Sequence, residues 1–438
     1  MNYDKAVNRM MGYMRTIYPM QRMINTPGIE EAFEVLKKEY ASLFVHEYEA
    51  GNEYEDWVVP FRWSVRYGRM SDENGDVLLS TDDNILFVCA FSEAVDGFFD
   101  KEEIGKHALI HPVHDNLFMF EHRLAFNTER REWRISLPRR VFDSLDSRRK
   151  YRIEIDVCEE NLPMLVGEWH IEGDSEETVV IAAHIDEQLC NDDLSGSMAA
   201  LELMRYIESL PHRKYSYKLL LFPETLGSFV YLHENVAESE KFLFMLNLEM
   251  LGAGDAWCLK HSMNPESYFD RALKAAFEEV GVEYRELGFF EGYENDERSF
   301  AWPTFSIPGV GIQRHPFRYY HTEMDNPDII DENYMREGLR IAVSFIDILE
   351  KDFVPKYLLK IPPKLSKRGL YYDSVEEKEK FGRFNNLLLF NIDGRKSLVD
   401  LARTSGLGFG EIHSYLEKFR REKLIDVTEF RIEKERSE

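Results

Sequence analysis

From about residue 150 onward the chain alternates short apolar runs with longer segments whose apolar residues recur every three to four positions. The runs Tyr151–Val157, Met164–Ile171, Val179–Ala183, Tyr217–Phe222, Phe242–Leu248 and Thr304–Ile312 predict strands. Between them, Ser195–Ile207, Phe229–Ala237, Pro265–Val280 and Glu332–Leu349 predict helices. Strands interleaved with helices fold as a mostly parallel sheet flanked by helices, so the pattern predicts the α/β class.

The flanks of this block read differently. Residues 1–40 predict two helices broken at Thr26-Pro27-Gly28, the second covering Ile29–Tyr40. In 50–150, Trp57, Val58, Val59, Trp63, Val65 and Tyr67 alternate loosely, and Asp72-Glu73-Asn74-Gly75-Asp76 suits a hairpin turn. Ile85–Cys89 and Glu132–Leu137 are further strand candidates, so this block predicts a small β-rich module with Tyr54, Trp57, Trp63 and Tyr67 in its core. A proline- and lysine-bearing connector, Pro355–Pro363, and a charged stretch, Ser374–Phe381, precede a last module. There Asn385–Phe390, Ser397–Thr404 and Gly410–Glu422 predict helices, with Gly406-Leu407-Gly408 between the second and third. Lys423–Ile432 predicts a strand or wing, completing a winged helix-turn-helix pattern. The expected boundaries are 1–45 with 145–355 for the α/β domain, 46–144 for the insert and 370–438 for the last module.

Charge narrows the partners. The 438 residues carry 80 acidic and 54 basic side chains, a net charge of −26. That argues against nucleic acid or an anionic membrane as a partner of the whole molecule. The candidate recognition helix carries Lys418, Arg420 and Arg421 but also Glu411, Glu417 and Glu422. A DNA reader presents a cleaner basic face, so the module is read as a protein contact, which leaves room for a homo-oligomer. No window reaches the ~18 apolar residues of a membrane span, and the first residues lack the apolar core of a signal peptide. Four scattered cysteines without a CxxC pair suit a reducing compartment. The expectation is a soluble, cytoplasmic protein.

The candidate chemistry begins where the third predicted strand ends. His184 and Asp186 stand two residues apart, a spacing that puts both on one side of an extended chain. Asp186 could then orient His184 toward a metal. Asp192 and Asp193 follow just before the helix at Ser195. Imidazole with carboxylate is zinc-type chemistry, although either aspartate could simply cap the helix. Glu224 follows the fourth predicted strand and Glu249 the fifth, and carboxyl ends of parallel strands are where open α/β sheets place ligands. Tyr319-Tyr320-His321 lies in a later loop, with His315 a competitor on composition alone.

Taken in order, His184-x-Asp186, Asp192-x-Leu194-Ser195-Gly196, Glu224, Glu249-Met250-Leu251-Gly252 and His321-Thr322-x-x-Asp325 resemble the co-catalytic zinc aminopeptidases, with glutaminyl cyclases similar in fold. More closely, the chain resembles an aminopeptidase-like family with an inserted β-rich domain and a C-terminal winged helix. Its marks are Ile17-Tyr18-Pro19-Met20-x-Arg22 and Asp56-Trp57-x-x-Pro60-x-x-Trp63 together with Asn191–Gly196 and Tyr320-His321-Thr322. The resemblance implies a mixed, mostly parallel aminopeptidase-like sheet and one or two zinc ions. It assigns His184 and Glu249 to one metal, Asp192 to a bridge and His321 to the second metal. Asp186 holds His184, and Glu224 is the general base that takes a proton from water. Asp296 matches a carboxylate that binds a free amino group; Arg314, Tyr319 and Tyr320 are candidates for the oxyanion or a substrate carboxylate. The implied activity is cleavage of a small peptide or aminoacyl amide. Alternatives are a glutaminyl-cyclase-like or amide-hydrolysing enzyme on a non-peptide substrate, and a degenerate peptidase fold used for binding. The resemblance departs at one place. Where the aminopeptidases carry two adjacent glutamates, base then ligand, this chain reads Glu224-Thr225. Either the second metal loses a ligand, or Glu224 is that ligand and the base is missing.

Overall fold

The computed structural model describes residues 1–127, 131–370, 380, 382–430 and 432. Its centre is an eight-stranded sheet. The strands are β1 (Phe44–Tyr48), β2 (Met164–Ile171), β3 (Thr178–His184), β4 (Ser216–Phe222), β5 (Phe242–Glu249), β6 (Ala256–Lys260), β7 (Tyr284–Leu287) and β8 (Gly309–His315). Their spatial order is β1-β2-β4-β3-β5-β8-β6-β7. The middle of the sheet, β4-β3-β5-β8, is parallel throughout. β1, β2 and β6 run antiparallel to their inner neighbours, so the sheet is mixed and mostly parallel.

The apolar runs become central strands because both faces are covered. In β3, Val179, Ile181 and Ala183 enter one core, with helices Gly196–Glu208, Tyr268–Val280 and Glu332–Lys351. Val180 and Ala182 enter the other, with helix Leu226–Glu234 and the insert. A strand covered on both sides reads as a continuous apolar run. The chain leaves β3 for β4 on one side and then returns to β5 on the other. That reversal is a topological switch point, where a crevice opens at the carboxyl ends of the strands.

The insert is a four-stranded antiparallel sheet in the order 77–80, 62–71, 150–160, 95–100, so the strand expected at Tyr151–Val157 lies here and not in the main sheet, beyond the expected boundary at 144. Of the four aromatics expected in its core, Trp63 and Tyr54 are buried, whereas Trp57 and Tyr67 are exposed. Ile85–Phe87 is a 3-10 turn rather than a strand, opened by the Asn84 side chain accepting from Leu86 N. In the first 40 residues, Pro27 is the first residue of the second helix, which begins earlier than Ile29. A prolyl N–H would be unbonded there in any case.

At the C-terminal end, helices Leu398–Ser405 and Phe409–Arg421 form the expected pair, and Gly406 closes the first with a left-handed φ of 64°. The strand expected after them is Ile425–Glu429, and its antiparallel partner is Phe353–Tyr357, which precedes the module. The apolar faces of these helices also continue the core beneath the main sheet. The described residues therefore do not form a self-contained winged domain. The charged stretch 374–381 lies outside the described residues except for residue 380. Among the described residues, no helix is long and apolar enough to cross a membrane.

Candidate metal centre

β3 delivers His184 at its last residue, and the turn after it delivers Asp186, Glu187 and Asp192. All four are buried. His184 Nδ1 lies 3.3 Å from Asp186 Oδ1, which also accepts from Glu224 N at 3.0 Å. One carboxylate thus orients the imidazole and fixes the start of the Glu224 turn. The opposite ring nitrogen, Nε2, is 3.1 Å from Asp192 Oδ1 and 3.4 Å from Glu249 Oε1. The second oxygen of Asp192 is 3.4 Å from His321 Nε2. Asp192 therefore stands between the two histidines, one oxygen toward each.

Neighbouring side chains hold this arrangement. Asp325 accepts from the backbone N–H groups of Cys190 (3.2 Å), Asn191 (2.6 Å) and Asp192 (3.1 Å). Asp193 turns away from Asp192 and accepts from Gly196 N and Met250 N, tying the helix start to the end of β5. It is a structural staple, as capping aspartates commonly are. A Cβ on Gly196 would run into the Leu248 carbonyl and the Asp193 carboxylate, so the helix can begin this close to β5 only with glycine. Each buried N–H left unpaired costs about 1–3 kcal/mol, so Asp325→Ala is expected to lose roughly 3 kcal/mol or more of stability. Urea unfolding checks this; a loss near zero would mean the 190–192 turn holds itself.

Two residues that the sequence reading passed over complete the cluster. Glu187, next to Asp186 in the same turn, directs Oε1 to His122 Nδ1 at 3.0 Å and Oε2 toward His321 Nε2 at 3.7 Å. His122 comes from the insert. Two sets of donors result, His184 with Asp192 and Glu249, and His122 with Glu187 and His321. Glu187 (φ 75°) and His321 (φ 53°) are both left-handed, as is Met250 (φ 45°) beside Glu249. Non-glycine residues in that region are strained, and such strain concentrates at functional sites.

The remaining candidates fall in different places. Glu224 is half-buried, within electrostatic reach of His184, Asp296, Glu249 and Asp192. Asp296 is buried under the same pocket, and burial pushes its carboxyl up to about 8. Tyr320 stacks on His321 at 3.9 Å and on Tyr293 at 4.8 Å, and remains exposed at the mouth. Tyr319 is turned elsewhere: its ring lies under the Arg318 guanidinium and beside His114. Arg314 does not reach the cluster. Gln313 pairs with Glu249 across β8 and β5, so the next residue points to the opposite face, over Trp257 and Tyr334. Its guanidinium donates to the carbonyls of Gly254 and Asp255. His315 packs on Tyr293 and is not part of either donor set.

The electrostatics call for a cation. Burial first, then neighbouring carboxylates, pushes Glu187, Glu224 and Glu249 above the usual carboxylate range. Burial would do the same to Asp192, but His184 and His321 on either side hold it below that range. His184 is held above the ordinary imidazole range against its burial, chiefly by Glu249 and Asp186. His122 is lowered to about 4 by burial and by His321, which leaves it neutral, the form that ligates metals. One oxygen each of Asp186, Glu187, Asp192 and Asp193 is buried without a hydrogen-bond partner. Buried carboxylates left in this state are costly unless a cation satisfies them. The residues present therefore fit a divalent metal.

Residues 11–352 match the family described as "Domain of unknown function (DUF4910)". The chain belongs to the DUF4910 family. A Clostridium acetobutylicum protein, named as a candidate polysaccharide biosynthesis protein with an aminopeptidase-like domain, is 25% identical over 432 residues. The match covers 97% of this chain and 98% of that one. A crystal structure of a candidate peptidase from Clostridium acetobutylicum superposes with a TM-score of 0.85 at 24% identity, covering 98% of each chain. BSAP, a zinc aminopeptidase from Bacillus subtilis, superposes with a TM-score of 0.58 at 14% identity, over 78% of this chain and 94% of its own. These likenesses show a zinc-aminopeptidase-like fold. The DUF4910 chain carries Thr225 beside Glu224, where the resemblance to the zinc aminopeptidases implies a second glutamate.

Proposed function

We propose that this chain is a zinc-dependent hydrolase of aminopeptidase type that cleaves an amide bond in a small peptide or aminoacyl substrate. The observation that carries this reading is Asp192, buried between His184 and His321 with Glu224 in the same pocket. Zinc held by His184, Asp192 and Glu249 would act as a Lewis acid on the substrate carbonyl and make water a better nucleophile. Glu224 would take a proton from the attacking water and deliver it to the departing amine. Asp186 keeps the imidazole of His184 in one orientation. Asp296, buried within electrostatic reach of Glu224, would receive the free amino group of the substrate.

A second reading keeps the chemistry and changes the substrate to the amide of an amino-sugar conjugate. Tyr320 supports it: its ring is stacked on His321 and Tyr293 and part of it stays exposed, so it offers a ligand an aromatic edge beside solvent. The name of the Clostridium relative, which refers to polysaccharide biosynthesis, points the same way.

A panel of aminoacyl anilides, short peptides and N-acylated amino sugars separates the two. The full chain is expected to turn over one class, to lose that activity on chelation and to regain it with zinc. Zinc binding without turnover on any class would instead favour a peptidase fold kept for binding.

A further inference from the structure

We infer that the insert supplies a ligand to a second metal position, built from His122, Glu187 and His321 with Asp192 shared between the two positions. The glutamate absent at Thr225 would then be replaced from a different part of the chain. This inference rests on the metal-dependent reading above.

Four observations support it. The first is spacing. Donors about 2.0–2.2 Å from a tetrahedral zinc ion stand roughly 3.3–3.6 Å from one another. Glu187 lies 3.0 Å from His122 and 3.7 Å from His321, and His321 lies 3.4 Å from Asp192. In the His184 set the corresponding separations are 3.1 and 3.4 Å. The separations in both sets lie close to that range, and the donors of each set lie within 4.8 Å of one another.

The second is the state of the donors. Glu187 Oε2 and Asp192 Oδ2 both face His321, both are buried, and neither has a hydrogen-bond partner. Two inward acceptors sharing one imidazole leave a position for a cation.

The third is backbone support. The insert segment that carries His122 is paired with the loop that carries His321. Phe120 N donates to His321 O at 2.9 Å, Glu323 N donates to Phe118 O at 3.1 Å, and Met119 bridges Thr322. The Glu323 carboxylate accepts from Phe118 N at 3.2 Å and from the Asn84 side chain. His122 and His321 are therefore set by one strand pair, as a precise ligand geometry requires.

The fourth is packing. Phe120 and Phe126 stand edge-on to the His122 ring, at 5.9 and 5.6 Å, and fix its plane. Core filling alone would not place His122 Nδ1 3.0 Å from the buried carboxylate of Glu187.

The test is zinc uptake by the full chain after dialysis against chelator, counted by elemental analysis and by calorimetric titration with zinc alone. Wild type is expected to take up two equivalents. His122→Phe keeps an aromatic ring between Phe120 and Phe126 but cannot ligate, and is expected to take up one. Glu187→Gln, nearly isosteric, provides the same readout if the ring swap disturbs folding, and is also expected to take up one. Two equivalents retained in either folded variant would overturn the assignment. So would a wild type that takes up only one; zinc-dependent turnover in that protein would leave the hydrolase reading standing and remove this one alone.

Discussion

Asp192→Ala is expected to remove metal binding and hydrolysis together. Asp192 is the residue that faces both histidines, with Oδ1 toward His184 and Oδ2 toward His321. Loss of a partner that merely supports a ligand already costs roughly 10–100-fold in metal affinity. Loss of a carboxylate that directly serves two positions should cost more. What remains, Glu249 with His184 on one side and Glu187 with His122 and His321 on the other, lacks the group that joins them. Elemental analysis of the dialysed variant is expected to find far less than one zinc per chain. Thermal melting gives an independent readout. Zinc at about 100 times its Kd stabilises a native protein by about 2.7 kcal/mol, and the variant should show none of that gain. Undiminished metal in a folded Asp192→Ala protein would defeat the assignment of the whole centre.

Much of this centre could be read from the sequence because its parts sit where strand patterns end. His184 follows five apolar residues, Glu249 ends another run, and Glu224 stands two residues past a third. Parallel strands align those ends, so the switch point follows from the order of elements. Glu187 was hidden by the rule that revealed its neighbours. Alternation put His184 and Asp186 on one side and would send Glu187 to the other, but its φ of 75° re-aims the side chain. His122 was hidden by distance. It lies in an insert segment without apolar periodicity, and only the pairing of 118–120 with 321–323 brings it to the pocket. Arg314 shows the converse error. A charge near His315 and His321 in sequence looked like a pocket residue, but one step along β8 changes the face. The partner of the C-terminal strand was hidden for a related reason, since Ile425–Glu429 pairs with Phe353–Tyr357, some 70 residues earlier. Local pattern gives the element and its inner face; it does not give a partner brought in by tertiary pairing.

Glu224→Gln separates the two readings left open by Thr225. If Glu224 is the base, glutamine keeps its size and its place behind Asp186 but cannot accept a proton. General-base loss typically costs 10²–10⁴-fold in rate, so kcat should fall by about that factor while KM changes little. Zinc stoichiometry should stay at the wild-type value, because neither donor set contains Glu224. If Glu224 is instead a ligand, the same variant should lose a zinc equivalent and its zinc-dependent rise in melting temperature. The base reading is the one favoured by the geometry. Asp186 holds the Glu224 backbone N–H at 3.0 Å, the Glu224 carboxyl lies within electrostatic reach of His184 and Glu249, and Glu187 already supplies a carboxylate to the second donor set. A ligand role for Glu224 would make three carboxylates, with Asp192 and Glu187, compete for the metal beside His321. Retained zinc with turnover reduced on the order of 10²-fold or more would fix the proton carrier at Glu224; lost zinc would return the carboxylate missing at Thr225 to its neighbour and leave the base to be sought elsewhere in the pocket.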